Sequence, residues 1–289
     1  MLVFFTDTDC DINKKVATEL GINLISMPYA INDLEINPYE DFEEFDSKTY
    51  YDMLRNGTLP KTCAISPMKY IEYFEPHFKE GNDILYVHFS KAMSGTFNSM
   101  NLALEELYEK YPERKVYTID TKAISVLSYL IIKELYKQYK EGKTANELIE
   151  WAEENVDKYA LYFYADDLKF FKLSGRVSGI SATMGNILGI HPIIHINKEG
   201  VMTNIAKSKG RISTLNKILT MVDELQDDIE NHTIVIAHSD ALDLAKKFEQ
   251  MVKEKYGNNL NIEFLVVNPT IGAHCGPDCV GIAFHSKSR

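Results

Sequence analysis

Residues 84–100, ILYVHFSKAMSGTFNSM, join an apolar run to a helical pattern through a short polar turn. The apolar run 84–89 has the composition of a strand buried on both faces, and residues 95–111 have the apolar spacing of a helix. Buried strands that alternate with helices are typical of a parallel sheet covered by helices on both faces. This stretch therefore predicts an α/β fold.

The same alternation extends over the first 150 residues. Further strands are predicted at 2–6, 23–31 and 115–120, and further helices at 14–20, 46–55, 68–79 and 124–139. The second half differs, because it contains a Gly- and Ser-rich segment at 173–189 and two strands, 191–196 and 201–208, joined by a turn. Its other predicted elements are strands at 159–167, 233–238 and 262–267 and helices at 214–225 and 242–256. We predict an N-terminal α/β domain, 1–158, with a mainly parallel sheet flanked by helices, and a smaller C-terminal α/β domain, 159–289.

Composition narrows the class of protein. The formal net charge of −11 argues against phosphate-backbone binding as the main activity, so no nucleic acid partner is expected. No apolar run has the roughly 18 residues that a membrane-spanning helix needs, and the first residues turn acidic instead of forming a signal peptide. We expect a cytoplasmic protein without integral membrane association, whose four cysteines are free thiols.

Four polar segments are expected at the carboxyl ends of the strands, where open α/β sheets bind their ligands. They are residues 6–11, 61–67, 90–96 and 120–123. In segment 90–96, a glycine, several hydroxyls and the first N–H groups of a helix together suit a carboxylate or phosphate. The same residues also suit simple N-capping by Ser94 or Thr96, and the segment alone does not separate the two readings.

Other motifs suit a plain structural role as well as a functional one. Asp7, Asp9 and Asp11 could ligate Mg²⁺, or they could form caps and Asx turns, and they lack the glycine and glutamate of an EF-hand loop. His274, within GAHCGP, is expected in a tight turn after a strand, and with its neighbouring cysteines it has too few well-spaced ligands for zinc. Residues 142–144, GKT, lack the preceding glycine of a phosphate-binding loop. No metal, cofactor or catalytic residue is expected.

Taken together and in order, five segments resemble the motifs of the DegV family. TDTDCDI resembles T-D-S-T-x-D-[LI], KTCAIS resembles T-S-Q-P-S, and SKAMSGTFNS resembles S-x-x-L-S-G-T-Y-x-S. LSGRVS resembles G-G-R-I-S, and GAHCGPDCVG resembles G-x-H-x-G-P-G-x-x-G. The resemblance covers residues 3–284.

The resemblance implies a two-domain DegV-like protein that binds a long-chain fatty acid in a buried tunnel and is not itself an enzyme. It also implies a partner, a fatty acid kinase that converts the presented carboxylate to acyl-phosphate for phospholipid synthesis. The residues that match the head-group site are Thr62, Ser94, Gly95 and His274, with Arg176 near the mouth. The residues that match the kinase-docking segment are Lys207, Lys209 and Arg211.

Three departures from the family pattern bear on the head-group site and on kinase docking. Lys209 replaces an arginine, Cys63 replaces a serine, and Asp278 replaces a glycine. An aspartate at position 278 would oppose a bound carboxylate unless its side chain points away. Two other functions remain open from the sequence: a Mg²⁺-dependent phosphoryl or acyl transferase that uses the three early aspartates, and a lipid-responsive sensor that docks a partner through residues 207–211.

Overall fold

The computed structural model describes residues 1–178 and 189–289, so part of the predicted Gly- and Ser-rich segment, 179–188, lies outside the described residues. The helices of the described residues are α1 (Lys14–Leu20), α2 (Ser47–Arg55), α3 (Pro67–Lys79), α4 (Thr96–Lys110), α5 (Val126–Lys140), α6 (Ala145–Asn155), α7 (Lys169–Ser174), α8 (Arg211–Leu225), α9 (Leu242–Tyr256) and α10 (Pro269–Cys275). The strands are β1 (Leu2–Asp7), β2 (Asn23–Ile25), β3 (Tyr29–Ile31), β4 (Leu34–Ile36), β5 (Lys61–Thr62), β6 (Asp83–His88), β7 (Val116–Asp120), β8 (Tyr159–Tyr164), β9 (Val177–Ser178), β10 (Ile190–Ile196), β11 (Met202–Lys209), β12 (Ile234–His238), β13 (Ile262–Val266) and β14 (Val280–His285).

The first sheet has the order β2-β1-β6-β7, and all its strand pairs are parallel. Its central strands, β1 and β6, carry buried runs of apolar residues, as expected for strands covered on both faces. Helix α3 contacts β6 and packs against α4, and helix α6 contacts β7 and packs against α5. The prediction of an α/β fold with a parallel sheet flanked by helices is confirmed.

A small antiparallel sheet, β4-β3-β5, corrects two predictions. Residues 23–31 do not form one strand, because the N–H of Ser26 bonds to the Tyr73 hydroxyl, that of Met27 bonds to Thr8 Oγ1, and Pro28 has no N–H. Residues 61–67 do not follow a parallel strand, because β5 pairs with β3 in the antiparallel sense. Thr62 and Cys63 of this segment nevertheless line the same cavity as Asp9 and Ser94 of two other polar segments.

The third sheet, within the described part of the chain, has the order β13-β12-β14-β8-β10-β11-β9 and mixes parallel and antiparallel pairs. One set of its side chains packs with α8 and α9 in a separate core. Helix α5 contacts β8, β12 and β14, so it lies between this sheet and the first half of the chain. This position explains why α5 is apolar around most of its circumference.

Three helices, α6, α7 and α10, were not predicted as helices. α6 begins with a capping box between Thr144 and Glu147, in the segment that superficially suggested a phosphate-binding loop. α10 shows that the prediction of a tight turn at His274 was wrong, because the Asn268 side chain accepts a hydrogen bond from the N–H of Ile271 and caps a helix. Gly276, with φ of 73°, ends this helix.

Candidate functional site

An apolar cavity with an empty volume of about 550 Å³ lies between the two halves of the chain. Its walls include Val126 from α5, Leu161 and Phe163 from β8, Phe171 from α7 and Ile271 from α10. These side chains are supplied by four separate elements of the fold. Because most of its lining side chains are apolar, this cavity suits an apolar group.

A polar cavity with an empty volume of about 420 Å³ adjoins the apolar one. Ile124, Met202 and His274 line both cavities, so His274 stands at their junction. Four of the residues predicted from the sequence line the polar cavity: Thr62, Ser94, Arg176 and His274. The structure therefore brings together residues that are more than 200 positions apart in the sequence.

An outer groove with an empty volume of about 970 Å³ adjoins the polar cavity on its other side. Met93, Ser94 and Arg176 line both the groove and the polar cavity. Gly95, the fifth predicted site residue, lines the groove and is not among the residues that line the polar cavity. The polar cavity thus lies between the groove and the apolar cavity.

Ser94 has a capping contact as well as a place in the cavity wall. Its Oγ accepts a hydrogen bond from the N–H of Thr96 at 3.2 Å, at the start of α4, while its own hydroxyl hydrogen remains able to donate. Thr96 has a structural contact, because its Oγ1 accepts a hydrogen bond from the N–H of Ile65 at 3.1 Å. The two readings of segment 90–96, capping and ligand binding, are therefore compatible.

His274 is neutral and has an unused nitrogen. Burial, with a smaller contribution from the charge of Arg176, lowers the pKa of His274 to about 4. Its Nδ1 is buried and has no hydrogen-bond partner among the described residues. Buried polar atoms without a partner are uncommon in folded proteins, so this nitrogen is a candidate contact for a ligand.

The three early aspartates differ in their surroundings. Asp7 accepts hydrogen bonds from the Tyr86 hydroxyl at 3.0 Å and from the N–H of Phe89 at 3.2 Å, and burial raises its pKa to about 7. Asp11 accepts hydrogen bonds from the Ser125 hydroxyl and, at 2.9 Å, from the N–H of Asn268, and burial raises its pKa to about 6. The side chains of Asp7 and Asp11 thus hydrogen-bond the end of β1 and the turn after it to neighbouring segments.

Asp9 instead lines the polar cavity. Residues 1–178 and 189–289 contain no group of three or more His, Cys, Asp or Glu side chains placed to hold a metal ion. The arrangement of the early aspartates therefore gives no positive support to the Mg²⁺-dependent transferase that the sequence left open.

Arg176 and Asp278 are placed differently relative to the polar cavity. Arg176 is exposed and lines the cavity, and its Nη1 donates to the carbonyl oxygen of Ser174 at 2.6 Å. Asp278 is not among the lining residues, and its Oδ1 accepts a hydrogen bond from Nη2 of Arg55 at 2.8 Å. The aspartate that replaces the family glycine therefore does not oppose an anion in this cavity.

The predicted docking residues do not share one environment. Lys207 and Lys209, on β11, are exposed. Arg211, the first residue of α8, forms two hydrogen bonds of 2.8 Å with the carboxylate of Asp166. Because this pair occupies the guanidinium, the two lysines are the more accessible cations of the segment.

Sequence reasoning missed several residues of the polar cavity. Asp9 was considered as a metal ligand or a cap and not as part of an organic binding site. Thr270 was not singled out, although the Asn268-Pro269 pair before it is a helix-start signal. Cys63, noted only as a departure from the family motif, also lines the cavity.

Comparisons with known proteins agree with the motif resemblance. The family model described as "Uncharacterised protein, DegV family" matches residues 2–287. A DegV domain-containing protein of Clostridium perfringens is 34% identical over 288 residues, which cover 99% of this chain and 98% of the relative.

Solved structures share the fold over the whole length. A DegV family protein from Thermus thermophilus, described for its fatty acid binding, has a TM-score of 0.86 and 21% identity, with 99% of each chain covered. A DegV family protein from Eubacterium eligens, loaded with heptadecanoic acid, has a TM-score of 0.82 and 22% identity and covers 99% of this chain and 100% of its own. No helix within residues 1–178 and 189–289 is long and apolar enough to span a membrane.

Proposed function

The chain belongs to the DegV family, and we propose that it binds one long-chain fatty acid, with the acyl chain in the apolar cavity and the carboxylate in the polar cavity. The observation that carries this proposal is the junction at His274, where an apolar cavity meets a polar one that contains unpartnered buried atoms. Relatives of the same fold that are described as fatty acid-binding proteins support the choice of ligand.

The acyl chain should supply most of the affinity. A C16 or C17 acid has about 15 methylene groups, and each contributes roughly 0.8 kcal/mol when buried, which gives a gross ceiling of about 12 kcal/mol. A hydrogen bond to a charged group contributes about 1.5–3 kcal/mol. The residues of the polar cavity therefore contribute more to the orientation of the ligand than to its affinity.

We propose that residues around the polar cavity donate hydrogen bonds to the carboxylate of the ligand. The hydroxyls of Thr62 and Ser94 and the imidazole of His274 each offer one hydrogen bond, and Arg176 offers positive charge at the side of the groove. Gly95, which is the N-cap residue of the 15-residue helix α4, adds the partial positive charge of a helix N-terminus.

We further propose that the chain is the acyl carrier of a fatty acid kinase, a binding protein without cofactor that acts in the cytoplasm. The carboxylate is itself the nucleophile in acyl-phosphate formation, so the carrier needs only to keep it ionised and reachable. The outer groove supports this role, because it leads from the surface to Ser94 and Arg176. The proposed docking surface for the kinase consists of Lys207 and Lys209, with Arg211 at the edge of this surface.

The two-domain division is part of the same proposal. Residues 1–158 would form the lipid-binding domain, and residues 159–289 would close over the ligand. In support, the strands of the four-stranded and three-stranded sheets all come from the first range, and those of the seven-stranded sheet come from the second.

The binding proposal is tested by native mass spectrometry of the purified chain, followed by lipid extraction. We expect an added mass that matches one fatty acid, and we expect delipidated protein to take up one equivalent of hexadecanoate. If no fatty acid co-purifies and none binds when added, the proposal fails. The carrier role is tested separately, with a fatty acid kinase subunit and ATP, by trapping acyl-phosphate as a hydroxamate; no product would remove that role and leave fatty acid binding in place.

A further inference from the structure

Asp9 is a buried carboxyl group without a partner. Its residue is 7% exposed, it lines the polar cavity, and its Oδ1 is buried without a hydrogen-bond partner among the described residues. The flanking aspartates, Asp7 and Asp11, each accept at least two hydrogen bonds from the protein. Asp9 is therefore the acidic side chain of this segment that is left for a ligand.

An ionised Asp9 would conflict with the proposed ligand. Two negative charges about 4 Å apart repel each other by roughly 4 kcal/mol at the effective dielectric constant of about 20 that suits such sites. That repulsion would cancel one or two of the hydrogen bonds assigned to the head group. In the motif T-D-S-T-x-D, which residues 6–11 resemble, the position of Asp9 is a threonine, whose hydroxyl can donate a hydrogen bond.

The groups around Asp9 favour its protonated form. Burial is the main cause that raises the pKa of Asp9 well above its usual value, and the charges of Asp7 and Asp11 raise it further. On the side of α10, His274 is neutral at pH 7 because its pKa is lowered to about 4. Arg176 is the one cation among the described residues that line this cavity, and it is exposed.

This inference rests on the proposed fatty acid binding and deepens it. We infer that Asp9 is a head-group residue that keeps its proton and donates an O–H hydrogen bond to the carboxylate of the ligand. The carboxyl of Asp9 and the carboxylate of the fatty acid then share one proton, and the pair carries a single negative charge. Binding of the anion is therefore accompanied by uptake of one proton at any pH at which Asp9 is ionised in the free protein.

The test is calorimetric titration of the delipidated full chain with dodecanoate below its aggregation concentration, between pH 6 and 9.5. At each pH the titration is done in two buffers of different ionisation enthalpy, which reports the protons taken up per ligand. The ligand stays ionised throughout, since its carboxyl has a pKa near that of glutamic acid, about 4.3. The variants are Asp9→Asn and Asp9→Thr, which cannot ionise but can donate, and the matched control is Asp228→Asn at an exposed turn.

In the wild-type chain and the control, we expect proton uptake to rise from zero towards one and affinity to fall by up to tenfold per pH unit once Asp9 ionises. Asp7 and Asp11, with pKa values of about 7 and about 6, titrate in every one of these chains. Both Asp9 variants should lose the additional fall in affinity that ionisation of Asp9 causes, and at pH 9.5 they should bind more tightly than the wild type. If the variants keep the pH profile of the wild type, the proton lies elsewhere, for example on His274, and the inference is overturned. If the wild-type chain binds no dodecanoate at any pH, the proposed function fails first.

Discussion

The neutral, buried imidazole of His274 leads to a prediction about stability. In the folded chain the pKa of His274 is lowered to about 4, whereas in the unfolded chain it returns to its ordinary value of 6.5. Between these values the unfolded state binds more protons than the folded state, so the free energy of unfolding falls as the pH falls. The contribution is fully present above pH 6.5 and is lost progressively as the pH decreases towards 4.

The size of the effect follows from the two pKa values. The shift of about 2.5 pH units, at 1.36 kcal/mol each, is worth about 3.4 kcal/mol in all, and protonation of the unfolded chain at this one group removes about 2.5 kcal/mol of it between pH 7.5 and pH 4.5. The substitution His274→Gln removes the titrating group and keeps a polar side chain of similar length. We therefore expect the wild type to lose about 2.5 kcal/mol more than the variant over this range.

Urea unfolding of delipidated protein, followed by circular dichroism at several pH values, measures this difference. The comparison of the two chains is necessary, because Asp7 and Asp11 act in the opposite direction. Their raised pKa values, about 7 and about 6, contribute stability that is lost as the pH rises through those values. They are the same in both chains and cancel. A difference between the chains that stays constant from pH 4.5 to pH 7.5 would show that His274 is not held neutral.

Three further predictions concern the ligand and the partner. Ser94→Ala should weaken fatty acid binding about tenfold or more, because a hydrogen bond to a charged group is lost. Both Ser94→Ala and Thr96→Ala should lower the urea midpoint, because the N–H of Thr96 and the N–H of Ile65, respectively, lose their acceptors, but Thr96→Ala should leave binding nearly unchanged; equal effects of both variants on binding would contradict the assignment. Ala237→Phe should fill part of the apolar cavity and shift the fatty acids recovered by extraction towards shorter chains, and an unchanged chain-length profile in a folded variant would place the acyl chain elsewhere. Lys209→Ala should slow acyl-phosphate formation by the kinase more than Arg211→Ala does, because Arg211 is already paired, and the reverse order would assign docking to the arginine.

The elements of this fold were largely predictable because their signals are local. Apolar runs and helical spacing predicted β1, β6 and β7 and helices α1 to α5 within a few residues of their bounds. The turn predicted at His274 was wrong because the glycines of GAHCGP were given more weight than the Asn268-Pro269 start signal, and a cap overrides one interior glycine. The pairing of β5 with β3 depends on residues some 30 positions apart, which no local pattern reports.

The candidate site was predictable to a different degree. Ordered motifs named Thr62, Ser94, Arg176 and His274, and the structure places all four around one cavity, while their roles in binding stay predictions. Asp9 was not predictable as a cavity residue, because its neighbours at positions 7 and 11 have the same side chain and point to protein donors. Asp9 differs from Asp7 and Asp11 because its Oδ1 has no hydrogen-bond partner among the described residues, and this difference is visible only in the three-dimensional structure.

Helix α10 shows why the candidate site does not follow the proposed domain boundary at 158/159. The Tyr50 hydroxyl donates to the carbonyl oxygen of Pro269 at 2.6 Å, and the Tyr51 hydroxyl donates to that of Val267 at 2.8 Å. From the other direction, Thr270 donates to the carbonyl oxygen of Met27 at 2.7 Å. These contacts, with those of Asn268 to the end of β1, hold α10 against the first half of the chain.

The position of His274 relative to Asp9 and Thr62 is therefore set by buried hydrogen bonds to residues 1–158, although His274 belongs to the second half of the sequence. Breaking one buried hydrogen bond of this kind is costly, because it leaves a buried polar group that has neither a protein partner nor water to bond with. The wall of the polar cavity formed by α10 is thus preorganised, which lowers the ordering cost of binding a head group. On the groove side, Arg176 is exposed, and the hydrogen bond of its side chain within residues 1–178 and 189–289 is to the carbonyl oxygen of Ser174. We therefore expect the movement that admits a ligand on this side and not at α10.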